Sequence, residues 1–295
     1  MSSSGGDPIW SWPEDRWRSL IESVRAGRSL KPRKWKNGAR AAVAIAVHFD
    51  NEIGMLAAGM TTPARLSQGH YGARAGLGRV LGALKRHSVP ATFFVPAVAA
   101  MLYGDELRTI AGAGHEIALA GWIGEVPAQL PPGVERDLIT GARETIARLV
   151  GQAPTGYQAP GSGLSAETPA VLCDLGFIYE SSLMSDDDPF DLTMAGQPTG
   201  LVSLPAAAER DDATYWGAGD TAGTTSPHAV FEILRRDLER AYDEGGLFQL
   251  TLHPALIGRR SRIWVLEELF GLARSLPGVW FATHHEIAHW CRSKA

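Results

Sequence analysis

Apolar residues fall along this chain in two alternating rhythms. Short unbroken runs such as "AAVAIAV", "ATFFV" and "LFQLTL" stand between stretches where apolar residues recur every third or fourth position. An unbroken run closed by polar or turn residues reads as a strand buried on both faces, and the longer period reads as a helix with one apolar side. "GLGRVLGALKRHSV", with Leu77, Val80, Leu81 and Leu84 on one stripe, predicts such a helix. "ERDLITGARETIARLVG" predicts another with a glycine stop, and "SAETPAVLCDLGF" and "SPHAVFEILRRDLERAYDEGG" are opened by Ser165 and by Ser226–Pro227. Strand then helix repeats to "GVWFATHHE" near the end, so the expected sheet is mostly parallel, and the number of units suits a (β/α) barrel of seven or eight strands. Residues 1–38 break this rhythm. Trp10, Trp12, Trp17 and Trp35 stand there among prolines and basic residues, which predicts an arm packed on a barrel wall or another subunit, ahead of a single domain over 39–295.

Composition narrows the classes without choosing one. Of 295 residues, 45% are hydrophobic and 20% charged, with a net charge of -4, so nucleic acid is not an expected partner. No run of about twenty apolar residues predicts a membrane span. Two distant cysteines, and an opening stretch without a basic-then-apolar leader, give the expectation of a cytoplasmic protein acting on a small molecule.

In barrels of this class the chemistry sits where strands end. "VHFDNE" places His48, Asp50 and Glu52 at alternate positions there, so all three are expected to face the mouth. The competing reading is a buried polar network that closes the barrel. "LTLHP" puts His253 at the end of a late strand, as a general acid or as a strand cap. In "LIGRRSR", Arg259 can clamp an oxyanion or simply belong to a solvated loop. "SDDDP" lacks calcium-loop spacing, and "GAGDTAGT" lacks the Lys-Ser/Thr of a phosphate loop. His285-Glu286-Ile287-Ala288-His289 is a literal H-E-x-x-H, which on a helix sets two imidazoles one turn apart for zinc. The strand before it is expected to leave His284 and His285 at a strand-to-helix junction near the mouth, as substrate contacts, with the helix starting at Glu286.

Several ordered stretches together resemble the polysaccharide deacetylase (NodB-homology, carbohydrate esterase 4) superfamily, nearest its allantoinase-like and peptidoglycan-deacetylase-like branch. They are "LSQGHYGARAGLGRVLGALKRHSVPATFFVP", "AGAGHEIA", "GYQAPG", "LCDLGFIYESSLMSDDDPF", "GGLFQLTLHPALIGRRSR" and "VWFATHHEIA". The resemblance implies a distorted (β/α) barrel and hydrolysis of a C–N bond. It also exposes departures. His48 stands where the family has its base carboxylate, and Asp50 where it has a metal-binding one. Ala120 and Gly124 of "LAGWIGE" stand where it has two metal-binding histidines, and Gln158 where it has an arginine. Zinc wants three protein ligands, so no cofactor is expected, with a divalent metal such as zinc at Asp50 as the runner-up. The site expected is His48, Asp50 and His253, with Glu52, Trp122, Gln158, Arg259, His284 and His285 around the substrate. The function that follows is a metal-independent hydrolase of a small cyclic amide, imide or N-acyl compound. A metal-dependent glycan N-deacetylase, a lyase, isomerase or decarboxylase, and a pseudoenzyme stay open beside it. The resemblance also implies a homo-oligomer, a dimer or tetramer.

Overall fold

The computed structural model describes residues 7–217 and 225–294; most of the "GAGDTAGT" stretch lies outside them. Ten strands form one sheet: β1 (Val24–Ser29), β2 (Ala41–His48), β3 (Thr92–Val95), β4 (Glu116–Leu119), β5 (Gly156–Tyr157), β6 (Tyr179–Glu180), β7 (Phe190–Met194), β8 (Gln197–Ser203), β9 (Leu247–Leu252) and β10 (Val279–Ala282). Their order is β1-β7-β8-β6-β5-β4-β3-β2-β10, with β9 on the other side of β2. The pairings from β8 through β6, β5, β4, β3 and β2 to β9 and β10 are parallel, as the strand–helix alternation requires. The sheet curls into the half-barrel expected of the deacetylase-type (β/α) fold.

Strand β2 shows how sequence builds the two layers. Successive side chains of a strand point to opposite faces. Val43, Ile45 and Val47 face outward into a core shared with helices such as Leu77–Arg86, where Val80 and Leu84 are fully buried. Ala42, Ala44 and Ala46 face inward, with Ala118, Ala120 and Ala282 beside them. These small side chains leave room for the C-terminal helix (His284–Lys294), whose Ile287, Ala288 and Cys291 fill the interior with Trp35 and Tyr179. His48, Gln158 and His253 continue the inward-facing parity of β2, β5 and β9 one step past the alternating pattern's apolar part.

The antiparallel strands were not anticipated from the pattern. β7 and β8 form a hairpin, and β1 from the Trp-rich arm joins its edge. Of the arm's tryptophans, Trp35 is fully buried and donates its indole N–H to Gly245 O, 3.0 Å away, whereas Trp10 is exposed. Asp188 of "SDDDP" pairs with Lys31 at 2.7 Å and accepts the Leu247 N–H at 2.8 Å, tying the arm to β9. The helix expected to open at Ser165 starts at Thr168 with Glu167 at its cap position, and Ser165 stands in the preceding turn, where its hydroxyl oxygen accepts the Glu167 and Thr168 N–H groups at 3.0 Å.

Candidate active site

The strand register brings the site together. Val47 of β2 lies opposite Leu252 of β9, so His48 and His253 emerge side by side at the C-terminal ends of parallel neighbours. Their rings stack with centroids 4.9 Å apart and planes 23° apart. His48 Nε2 lies 2.8 Å from Gln158 Oε1, so with that amide orientation the N–H donates and the other ring nitrogen holds the lone pair. His253 Nδ1 lies 2.7 Å from Asp212 Oδ1. Asp212 is buried and also accepts the backbone N–H groups of His253 and Ile257, at 3.0 and 3.1 Å. Its carboxylate is thereby fixed from three directions.

These partners polarise the pair. Burial lowers the pKa of His48, and the neighbouring His253 charge lowers it further. Burial also opposes charge on His253, but Asp212, then Asp211 and Asp50, outweigh it and raise its pKa well above that of a free imidazole. Near neutral pH one ring is therefore a neutral base and the other an imidazolium. Burial raises the Asp50 carboxyl, against the pull of His253 and of the Asp50 and Asn51 N–H groups.

His48, Asp50, Gln158, Asp211 and His253 line one cavity of about 410 Å³. The helix Glu52–Ala57 covers one side through Ile53 and Gly54, and Pro160–Ser162 covers another. Ala120 and Gly124 line it too, at the positions where the resemblance places metal-binding histidines. The loop between them is closed by Glu125, which accepts the N–H groups of Trp122 and Ile123, each at 2.7 Å. Gly124 has φ +90°, and a Cβ there would stand 2.7 Å from Ala57 Cβ. The loop has been rebuilt around a residue that cannot carry an imidazole.

Five expected site residues fall elsewhere. Glu52 does not face the mouth with His48 and Asp50; it starts a helix and accepts the Tyr103 hydroxyl at 2.6 Å, so the strand alternation had already ended. Gln158, and neither Asp50 nor Glu52, is the side chain bonded to the His48 ring. Trp122 turns its ring toward the helix Val134–Val150 at Gly141, where it packs on the outer core and makes no cavity wall. Arg259 stacks its guanidinium 3.8 Å from the Tyr71 ring centroid and donates to Ala255 O, away from the cavity. The C-terminal helix begins at His284, earlier than expected, and carries both histidines inward and downward. His284 is buried between Phe94 and Tyr179. His285 Nδ1 meets Thr155 Oγ1 at 3.0 Å and lines a cleft with His115 and Glu116.

The early helix start does put His285 and His289 on one face, with rings 6.4 Å apart and nearly parallel. Yet Glu286 is engaged by Lys36 and by the Thr283 N–H, and among the described residues no third donor joins the two imidazoles. Sets of three donors occur instead at His48–Asp50–His253 and at Asp211–Asp212–His253. Both share His253, which three carboxyl groups hold in its protonated form. A divalent cation at either set would have to displace a proton from His253 and compete with its 2.7 Å contact to Asp212 or use its other ring nitrogen. Asp211 and Asp212 escaped the sequence reading. No apolar run leads to them, and Asp212 meets His253 from 41 residues upstream.

Residues 70–179 match the family described as polysaccharide deacetylase. A Helicobacter pylori peptidoglycan deacetylase is 28% identical over 276 residues, covering 83% of this chain and 94% of its own. A Mycobacterium smegmatis crystal structure assigned to the polysaccharide deacetylases is 33% identical, with a TM-score of 0.83, covering 91% of this chain and 96% of the other. PuuE allantoinase superposes with a TM-score of 0.78 at 23% identity over 90% of this chain and 94% of its own, a likeness of fold. At 33% identity over 96% of that M. smegmatis chain, this chain belongs to the polysaccharide deacetylase family.

Proposed function

We propose that the protein hydrolyses a C–N bond other than a peptide bond in a compact cyclic amide or imide, without a metal ion. The observation that carries this reading is the stacked His48–His253 pair, one ring bonded to the Gln158 amide and the other to the Asp212 carboxylate, an arrangement that favours a neutral His48 beside a protonated His253. Neutral His48 takes a proton from water as its oxygen adds to the carbonyl carbon. The His253 N–H faces the oxygen that becomes negative and then gives its proton to the nitrogen as the C–N bond breaks. The products are a carboxyl group and the released N–H group, an amine from an amide or an amide from an imide, and the proton count of the pair is unchanged. Gln158 keeps His48 in one tautomer, and Asp212 orients the His253 ring.

A metal would polarise the carbonyl and supply several kcal/mol of transition-state stabilisation, order of magnitude. Without it, a strained or activated carbonyl is the better-matched substrate. A cavity of about 410 Å³, covered by Glu52–Ala57, also suits a single ring more than a glycan chain. The test is product formation by chelator-treated protein, read by NMR, on dihydrouracil, succinimide and N-acetylglucosamine oligomers, with and without added zinc. The expected outcome is ring opening that chelator and zinc leave unchanged. Deacetylation of the oligomers that appears only with about one equivalent of zinc would support the metal-dependent alternative. Conversion without hydrolysis would point to a lyase or isomerase, and binding without conversion to a pseudoenzyme.

A further inference from the structure

The cavity is charged in one sense. Asp50 and Asp211 line it, Asp212 lies behind His253, and among the described residues no lysine or arginine reaches it. The guanidinium groups nearby are turned away: Arg262 stacks over Trp216 at 4.6 Å, and Arg259 over Tyr71. Against these carboxyl groups stands one imidazolium, His253, so the wall has no cation left over for an anionic ligand.

Two polar groups on this wall are only half used. Gln158 is 5% exposed and spends its Oε1 on His48, while its amide nitrogen has no protein partner among the described residues. Asp211 spends Oδ1 on the Ala213 N–H at 2.8 Å, and Oδ2 has no hydrogen-bond partner among the described residues. The first is an N–H donor in want of an acceptor, and the second an acceptor in want of a donor. Both groups open onto the cavity, with 31% of the Asp211 side chain exposed, so an occupant that answers both takes the place of water on each.

The geometry points to a charge-selective binding site: the cavity takes an uncharged or cationic molecule that offers a carbonyl oxygen to Gln158 and N–H groups to Asp211, and it rejects carboxylates and phosphates. Asp211 is the residue that sets this preference. This rests on the proposed reading for the location of the substrate site and adds the chemical class of what enters it. A carboxylate on the ligand would face Asp211 and Asp50, and the one cation there, the His253 imidazolium, is already paired with Asp212. The N–H edge of a neutral –NH–CO–NH– group would instead donate to Asp211.

Dihydrouracil and dihydroorotate carry the same ureide ring and differ by one carboxylate, so they isolate the effect. Their dissociation constants are measured by calorimetry on the full chain, wild type and Asp211→Asn, with His48→Gln used wherever turnover would consume the probe. Asparagine is as good a helix N-cap as aspartate, so Asp211→Asn keeps the Ala213 contact. Expected is dihydrouracil binding at least about tenfold tighter than dihydroorotate in the wild type, narrowing to within about threefold in Asp211→Asn. Ala58→Lys, at the exposed rim of the same cavity, should shift the preference toward dihydroorotate by about tenfold. Equal or tighter binding of the carboxylate by the wild type, a gap untouched by Asp211→Asn, or binding of neither probe would overturn the inference. Selective binding without turnover would leave the inference standing and sink hydrolysis instead. Turnover without charge selectivity would do the reverse.

Discussion

Two pairs of histidines stand in the same half-barrel, His48 and His253 at the mouth and His284 and His285 at the start of the C-terminal helix, and only one has been given carboxylates at its ring nitrogens, although the Phe94 ring packs against both His48 and His284. At the mouth, His253 has Asp212 at 2.7 Å and Asp211 at 3.6 Å, and His48 has the Gln158 amide. Around the C-terminal helix, His284 has no hydrogen-bond partner on either nitrogen among the described residues, and His285 meets a threonine hydroxyl. Burial lowers His284 to about 3, so it stays neutral at any ordinary pH. The same side chain is thus a charge carrier in one pair and a packing unit in the other. The neighbours decide which, because burial alone pushes every imidazole toward neutrality.

The contrast is broken most directly by deleting a ring in each pair. His48→Gln and His253→Ala should each lower kcat/KM by about 10²–10⁴ on whichever substrate the panel reveals, the usual worth of a positioned acid or base. His285→Ala should change it by less than about threefold, since its ring lies far from the cavity and effects at separated sites act independently. A large effect of His285→Ala would dissolve the distinction.

Next in size is Asp212→Asn. Loss of the charge that raises His253 should cost about 10²-fold or more in kcat/KM. It should also move the alkaline limb of the pH–rate profile. In the wild type His48 is depressed and His253 raised, so activity should rise at a pH below the free imidazole value of about 6.5 and fall well above it. In the variant the alkaline limb should come down toward that value. The same linkage acts on stability. A group raised on folding contributes fully below about pH 6.5, and its contribution fades as pH climbs through the raised value. Thermal melts between pH 6 and 11 should show that slope in the wild type and lose much of it in Asp212→Asn.

A smaller effect probes the rebuilt loop. Gly124→His demands a side chain at φ +90° against Ala57 Cβ and should cost about 1–3 kcal/mol, seen as a Tm lower by several degrees. Paired with Ala120→His it should still give no stoichiometric zinc binding by metal analysis. The smallest effect is at His284. His284→Phe removes two unpartnered nitrogens from an aromatic pocket at little change in shape, so Tm should hold or rise by a few degrees. The variant should also resist acid better. His284 is depressed on folding, so its penalty grows as pH falls from about 6.5 toward 3.

The barrel was legible because its strands are apolar on both faces and its helices on one, a distinction that survives in sequence as period. The hairpin β7–β8 and the added β1 were not. Segments such as "VRAGRS" are exposed at nearly every position and have no apolar run, and only a partner strand makes them strands. His48, Asp50, Gln158 and His253 were found because position at a strand end is a local property. Glu52, Trp122 and Arg259 were misplaced because side-chain direction beyond a strand end depends on the turn that follows. At Asn51, with φ 48°, the chain leaves the strand and the alternation lapses. His284 and His285 were misplaced by a helix that starts two residues early. Asp212 was invisible for a different reason: its importance lies wholly in a contact across 41 residues.

The stacking of His48 on His253 at 4.9 Å has a kinetic consequence of its own. Two imidazoles at that separation share one positive charge, and a second is repelled. After a turnover in which one ring has gained a proton and the other has lost one, the pair holds the same charge in the mirror arrangement. Asp212 then draws the charge back to its starting ring. No hydrogen bond joins the stacked rings, whose partners are Gln158 and Asp212, so the proton returns through water, and where that return limits turnover the rate should rise with buffer concentration.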